Sequence, residues 1–265
     1  MSNLEKQYDF NKFINIIRKL RSEDGCPWDK VQTHKSLKSC MLEEAYEAVW
    51  AIDNDDMENL KEELGDVLLQ VALHSIISEQ SGGFTVEDVI QDVAEKMIRR
   101  HPHVFGDKTD STKDEISQSW EQIKQMEHDE KSVSEGMRNV PQNMPAAMRA
   151  QKIQKKAAKA GVNFEGAEEA LDYAENMLSN LKKSLQNFEQ DELENQYELF
   201  LFAAVNLSAF LGLNAENSLT NGIDKFINRF VGMERIANSE GKRLSELPQG
   251  LRNDLWKHIK NKNRK

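Results

Sequence analysis

The chain has 265 residues, 30% of them charged, and a formal net charge of −10, which argues against broad attraction to a nucleic-acid backbone. Its two cysteines, Cys26 and Cys40, exclude a disulfide framework. The opening M-S-N-L-E-K-Q-Y-D-F carries no basic segment followed by an apolar run, and the most apolar stretch, Leu199–Leu213, is interrupted by Asn206 and Ser208 and too short for an ordinary membrane span. The expectation is a cytoplasmic, mostly helical protein of one large or two small domains, with no membrane and no nucleic-acid partner.

Phe10–Leu20 shows helical apolar spacing through Phe13, Ile14, Ile16, Ile17 and Leu20. It leads into R-S-E-D-G-C-P-W-D-K-V-Q-T-H, where the turn formers predict an ordered loop. Trp28 and His34 are candidates to line a base pocket there. The competing reading has Trp28 plugging the core and Asp29 capping a turn.

Leu42 to Asp66 reads as two helix-period segments around D-N-D-D. Glu44 and Glu47 are three apart and share a helix face, as do Glu63 and Asp66. An antiparallel hairpin about the acidic turn brings both pairs to the same height, at about 1.5 Å of rise per residue. Glu43, roughly 40° around the helix from Glu47, is a fifth carboxylate at the edge of the cluster. So many converging acids repel one another unless a cation sits among them. Hard oxygen donors without Cys or ligand-spaced His suit Mg²⁺, Mn²⁺ or Ca²⁺, and Mg²⁺, which is often completed by substrate phosphates, is favoured. A single Glu-x-x-Glu is usually a solvated helix face; two such pairs in register are a stronger signal. Leu42, Ala45, Val49 and Ile52 form one apolar stripe of the hairpin, and Leu60, Leu64, Val67, Leu68 and Val71 the other. The second helix is expected to run to about Glu79, with His74 as a satisfied, semi-buried histidine.

After S-G-G-F, Thr85 reads as an N-cap with Asp88 three residues on. The helix from Val86 ends in a cationic face of Lys96, Arg99 and Arg100, which could hold terminal phosphates or merely favour the helix C-terminus. Residues 107–114 are polar and read as mobile, 116–126 as a short helix carrying Trp120, and 127–135 as highly charged. Pro141 and Pro145 mark a boundary before a Lys-rich bridging helix. The second half then reads as a worn copy of the first. Ala174, Glu175 and Leu178 stand where Glu43, Glu44 and Glu47 stood, and Asn195, Gln196 and Leu199 where Glu62, Glu63 and Asp66 stood. K-F-I-N-R-F at 225–230 echoes K-M-I-R-R-H at 96–101, and Trp256 echoes Trp120. Three of the four ligand positions are lost, so a second metal site is not expected.

These residues carry a family. Glu-Glu-x-x-Glu, a spacer and Glu-x-x-Asp, together with G-C-P-W-D-K-x-Q-T-H at 25–34, R-R-H-P-H-V-F at 99–105 and R-A-Q-K-I-Q-K-K at 149–156, resemble the MazG-type nucleoside triphosphate pyrophosphohydrolases over nearly the whole chain. The resemblance implies an all-α fold of tandem four-helix-bundle-type modules, a homodimer, and Mg²⁺-dependent cleavage of a nucleoside triphosphate to monophosphate and pyrophosphate, with Mn²⁺ as a substitute cofactor. It implies metal ligands at Glu44, Glu47, Glu63 and Asp66, phosphate contacts at Lys96, Arg99 and Arg100, and a nucleotide neighbour at Trp120. In some two-module members the C-terminal module is the active one; here that module lacks the ligands. The expected organisation is therefore a catalytic module at 1–125, a linker and bridging helix at 126–160, and a degenerate structural or dimer-forming module at 161–265. Glu43 is then a candidate to hold or deprotonate the attacking water. A di-iron carboxylate bundle is a runner-up that lacks its Glu-x-x-His spacing, and a non-catalytic nucleotide-sensing or interaction module is the other alternative.

Overall fold

The computed structural model describes residues 8–106, 112, 116, 120, 123, 127, 132–187 and 190–262. Every regular element among them is helical, and the chain divides into two compact units, Met1–His128 and Asp129–Lys265. The expected division between residues 125 and 126 lies outside the described residues, as does the expected mobile stretch at 107–114 apart from residue 112.

In the first unit, α1 (Phe10–Leu20) starts where Asp9 accepts the Lys12 amide and buries Ile14 and Ile17. The following loop is tightly built around the short α2 (Pro27–Lys30). A Cβ on Gly25 would collide with the Leu20 carbonyl oxygen, and the Cys26 amide donates to that same oxygen at 2.7 Å. Arg21 ties the loop down: its Nε donates to Gln80 Oε1 at 3.1 Å and its Nη1 to the Asp29 carbonyl. Trp28 is 60% exposed, so it does not plug the core; Leu37, 1% exposed, fills that place.

Helices α3 (Lys38–Asp53) and α4 (Met57–Gln80) make the expected hairpin. Its turn is a Schellman closure: the Asp56 amide reaches back to the Ala51 carbonyl at 2.9 Å and the Asp55 amide to Ile52 at 3.2 Å. Asp55 takes the left-handed conformation at φ 54°, and Asp56 caps α4 by accepting the Asn59 amide. On α3 the fully buried positions are Ala48 and Ala51, while Leu42, Ala45, Val49 and Ile52 are exposed, as are Leu64 and Leu68 on α4. Small residues thus lie at the buried face, and the aliphatic stripe expected there points away from the unit's core. That core joins Ile14, Ile17, Leu37, Ala72, Leu73, Ile76 and Val86. Thr85 and Asp88 form a full capping box at the start of α5 (Val86–Arg100), and Pro102 begins the short α6 (Pro102–Phe105).

The second unit contains α7 (Val133–Arg138), α8 (Ala146–Lys159), α9 (Ala167–Asn187), α10 (Gln190–Phe210), α11 (Ala215–Ser239), a 3₁₀ turn at Leu244–Glu246 and α12 (Gln249–Lys262). The Lys-rich α8 packs within this unit, against α10 and α11. Gln151 clamps the turn between those two helices, donating to Ser208 Oγ at 2.8 Å and the Leu213 carbonyl at 3.0 Å while accepting the Ala215 amide. Helices α9 and α10 repeat the α3–α4 hairpin, again burying alanines, here Ala170, Ala174 and Ala203. Among the described residues no single helix is long and apolar enough to cross a membrane.

Replacing Asp55 by glycine removes the Cβ penalty of a left-handed residue at a helix C-terminus. Asp55→Gly is expected to raise stability by about 0.5–1 kcal/mol in urea denaturation followed by helicity; a loss would show that the aspartate side chain, not the backbone, holds the turn.

A candidate metal centre on the acidic hairpin

The Schellman turn fixes the register of α3 against α4, and three carboxylates meet across their seam. One oxygen from each of Glu44, Glu63 and Asp66 lies within 4.8 Å of the others. Glu63 is only 9% exposed. Burial is the main force pushing its carboxyl above the usual range, followed by the negative charges of Glu47, Asp66 and Glu62 and a hydrogen bond to Glu47 that needs a shared proton. Burial also leads in raising Glu44, followed by the charges of Asp66, Glu47, Glu63 and Glu43. Glu47 and Glu43 are exposed: Glu47 joins through its bond to Glu63, and Glu43 adds its field from the rim. Two acids that resist ionisation beside a third, with only oxygen donors among them, form a set that a hard divalent cation would complete.

The cationic residues assemble separately. Arg100 lies over the Trp120 ring at 5.4 Å, His101 meets the same ring edge-on at 4.8 Å, and Arg99 and Arg100 both grip Glu127. The two guanidiniums hold the Glu127 carboxyl down at about 2, the hydrogen bond from Arg100 being the largest cause. Lys96, one turn back on α5, is half-buried. Residues 116, 120, 123 and 127 are helical, which agrees with a helix carrying Trp120; the rest of that segment lies outside the described residues. No hydrogen bond or ion pair among the described residues joins this group to the carboxylates.

His34 and Trp28 sit on the loop. His34 Nδ1 and His74 Nδ1 are 2.8 Å apart, one donating to the other, with the rings parallel. Burial lowers His74, and the His34 charge adds to that. The pair pins the loop to α4, the helix of Glu63 and Asp66. Trp28 has no ring partner among the described residues. Sequence reading missed two participants, Glu127 and the His34 partner role of His74. The spacing of Trp120, Ile123 and Glu127 on one helical face could have flagged the first; nothing local pairs His34 with a residue 40 positions away.

In the second unit the hairpin positions carry other chemistry. Leu178, at the place of Glu47, lines an apolar cavity of about 580 Å³ with Leu181, Leu185, Leu193 and Tyr197. Gln196, at the place of Glu63, donates to Glu192 at 2.7 Å. Among the described residues the first hairpin holds the only group of three or more acidic, His or Cys ligand atoms close enough to share an ion.

Comparison with known proteins adds to this geometry. The MazG nucleotide pyrophosphohydrolase domain family matches residues 32–105, the stretch containing the whole acidic hairpin. The chain is 41% identical over 253 residues to the nucleoside triphosphate pyrophosphohydrolase/pyrophosphatase MazG of Thermotoga maritima, covering 95% of each. It is 34% identical to the nucleoside triphosphate pyrophosphohydrolase of Escherichia coli K12, covering 94% of this chain and 96% of that one. It is also 40% identical to the protein YabN of Bacillus subtilis, spanning 53% of that longer protein. With such identity over nearly full length, and the acidic hairpin inside the matched domain, the chain belongs to the MazG family of nucleoside triphosphate pyrophosphohydrolases.

Proposed function

We propose that the first unit hydrolyses ribo- or deoxyribonucleoside triphosphates to monophosphate and pyrophosphate with Mg²⁺, as a housecleaning enzyme of the nucleotide pool. The observation that carries this reading is the convergence of Glu44, Glu63 and Asp66 within 4.8 Å, in a chain whose long-range relatives in Thermotoga and Escherichia are named for that reaction. Glu44, Glu47, Glu63 and Asp66 would hold Mg²⁺, or Mn²⁺ as a substitute. When bound, the ion supplies Lewis-acid neutralisation of phosphate oxygens and a more acidic water. Glu43, exposed at the rim, takes the proton of the water that attacks the α-phosphorus. Lys96, Arg99 and Arg100 neutralise the charge that builds on the departing pyrophosphate. Trp120, Trp28 and the loop held by His34 contact the nucleoside.

The second unit, with Ala174, Glu175, Leu178, Gln196 and Leu199 at the matching places, is read as structural. The chain is read as a homodimer: Leu42, Val49, Trp50, Leu64 and Leu68 are all at least 40% exposed on the hairpin, a contiguous type of apolar surface that a second copy would cover. Both cysteines are free, as a cytoplasmic location allows.

Phosphorus NMR of products from a panel of nucleoside triphosphates tests the reaction itself. Monophosphate plus pyrophosphate, formed only with divalent metal, is expected; diphosphate plus orthophosphate would mean a different bond is cut. Glu63→Gln is expected to lose nearly all turnover and to remain folded, whereas Glu175→Ala keeps it. A folded, dimeric but dead Glu175→Ala protein would move the site to the second unit.

Linkage gives a readout independent of turnover. Glu44 and Glu63 are raised in the folded state above the ordinary 4.5, so the native protein binds more protons than the unfolded chain above that pH. Their contribution is therefore greatest below 4.5 and declines as pH rises through the raised native values. Glu127 works oppositely: its stabilisation is present above 4.5 and disappears as pH falls toward about 2. In EDTA, thermal melting of Glu63→Gln is expected to lose part of the decline above 4.5 seen in wild type, and Mg²⁺ is expected to raise the wild-type melting temperature more than that of the variant. Equal responses of the two proteins to Mg²⁺ would remove Glu63 from the metal site.

A further inference from the structure

Arg99 and Arg100 are adjacent on α5, so their side chains leave the helix about 100° apart and, as like charges, should diverge. One carboxylate gathers them. Glu127 Oε1 accepts from Arg99 Nε at 2.7 Å and lies 2.6 Å from its Nη2 as an ion pair. Glu127 Oε2 accepts from Arg100 Nε at 2.9 Å and also from its Nη2. Each guanidinium turns its Nε/Nη2 edge to the carboxylate and, of its five N–H donors, has no partner for those on Nη1 among the described residues. The trio carries a net charge of +1, from two guanidiniums and one carboxylate, so it remains attractive to an anion.

Glu127 and Arg100 are the enclosed members of this arrangement, and Arg99 the open one. The side chains of Glu127 and Arg100 are 15% and 12% exposed, against 52% for Arg99. A carboxylate that merely stood in for a substrate phosphate should lie on the open side of the arginines, where a ligand could replace it. Here its side chain is only 15% exposed, alongside an Arg100 that stacks on the Trp120 ring.

The internal repeat separates scaffold from chemistry. In the second unit Arg229 lies over Trp256 at 5.6 Å, reproducing the Arg100–Trp120 stack in a module without the metal-binding carboxylates. The stack therefore belongs to the fold. At the place of Arg99, however, stands Asn228, and seven residues beyond Trp256, where Glu127 stands beyond Trp120, the sequence has Asn263. The arginine and the carboxylate that holds it are lost together, and they are lost in the copy that has also lost Glu47, Glu63 and Asp66.

We propose that Glu127 is a positioning residue for the triphosphate: by gripping the inner edges of Arg99 and Arg100 it sets their outward donors at a fixed spacing to receive the oxygens of the pyrophosphate end. This rests on the reading of the first unit as the hydrolytic site. The advantage is preorganisation: two long side chains are immobilised before substrate arrives, so binding does not bear the cost of ordering them.

A double-mutant cycle on the full-length protein tests it. Glu127→Gln keeps the size but offers one acceptor oxygen and an amide that faces a guanidinium donor to donor; Arg99→Lys keeps the charge but loses the fork. Each single variant is expected to raise KM for a nucleoside triphosphate and to lower kcat, and to weaken binding of inorganic pyrophosphate in the presence of Mg²⁺, measured by calorimetry, by about tenfold. The double variant is expected to be little worse than either single one, because both remove the same device. Tighter pyrophosphate binding in Glu127→Gln would overturn the proposal by making the carboxylate a competitor of phosphate. Unchanged binding, or strictly additive losses in the cycle, would also overturn it, by reducing Glu127 to a surface partner of the helix. If Glu127→Gln fails to fold, Arg99→Lys alone still decides, since an unaltered KM and pyrophosphate affinity there refute the role of the pair. Failure of the hydrolytic reading is seen separately, as absence of monophosphate and pyrophosphate from wild type, while the pyrophosphate-binding cycle still reports on Glu127.

Discussion

The first unit is arranged around one unfavourable interaction, the mutual repulsion of carboxylates brought to the same height on α3 and α4. Left to themselves, Glu44, Glu63 and Asp66 would separate into solvent. They do not, because the hairpin that carries them is fixed at both ends: at the turn by the backbone closure through Asp55 and Asp56, and at the far end of α4 by Arg18 and Arg21, which tie Glu79 and Gln80 to α1. Small residues on the buried face of α3, Ala48 and Ala51, let the helices approach closely, which larger side chains would prevent. The repulsion appears, together with burial, as Glu44 and Glu63 carboxyls raised above their usual range.

The two halves of the chain show what this arrangement requires beyond the fold. Both hairpins bury alanines, and both units stack an arginine over a tryptophan. A helical scaffold of this kind therefore persists without the acids. In the second unit the place of Glu47 is taken by Leu178 beside an apolar cavity, and that of Glu63 by Gln196, a neutral amide that donates to Glu192. Replacing acids by leucine and glutamine removes the repulsion, so that hairpin can form with no ion to balance it. Retention of acids in one copy and their loss in the other leaves the balancing charge a requirement of the first hairpin alone.

Much of this was legible in local spacing. The helix over Phe10–Leu20, the box at Thr85 and Asp88, the end of α4 near Glu79 and the convergence of Glu44, Glu63 and Asp66 all follow from period, caps and hairpin symmetry, which operate within a few turns of chain. Spacing says which residues share a face and not which face is covered. Leu42, Val49 and Ile52 form the stripe that was expected, yet they are exposed, because the smaller Ala48 and Ala51 occupy the buried face. Trp28 likewise has the size of a core residue, but the loop is anchored by Gly25 and Arg21 and the core space goes to Leu37. The His34–His74 contact and the grip of Glu127 on two arginines join residues 40 and 27 or 28 positions apart. Their partners are chosen by tertiary packing, which no local pattern encodes.

Charge explains why the basic group is built as it is. In a chain of net charge −10, free arginines beside an acidic hairpin would be drawn to whichever carboxylate lay nearest, including those needed for a metal. Glu127 engages one edge of each guanidinium, and the two arginines in turn hold its carboxyl down at about 2. A neutral partner would leave the like charges of Arg99 and Arg100 without the carboxylate that holds them together. Keeping acids and bases apart on neighbouring helices of one unit requires that each group be satisfied in its own place: the bases by the carboxylate they share, and the acids by a partner of opposite charge, which a divalent cation would supply.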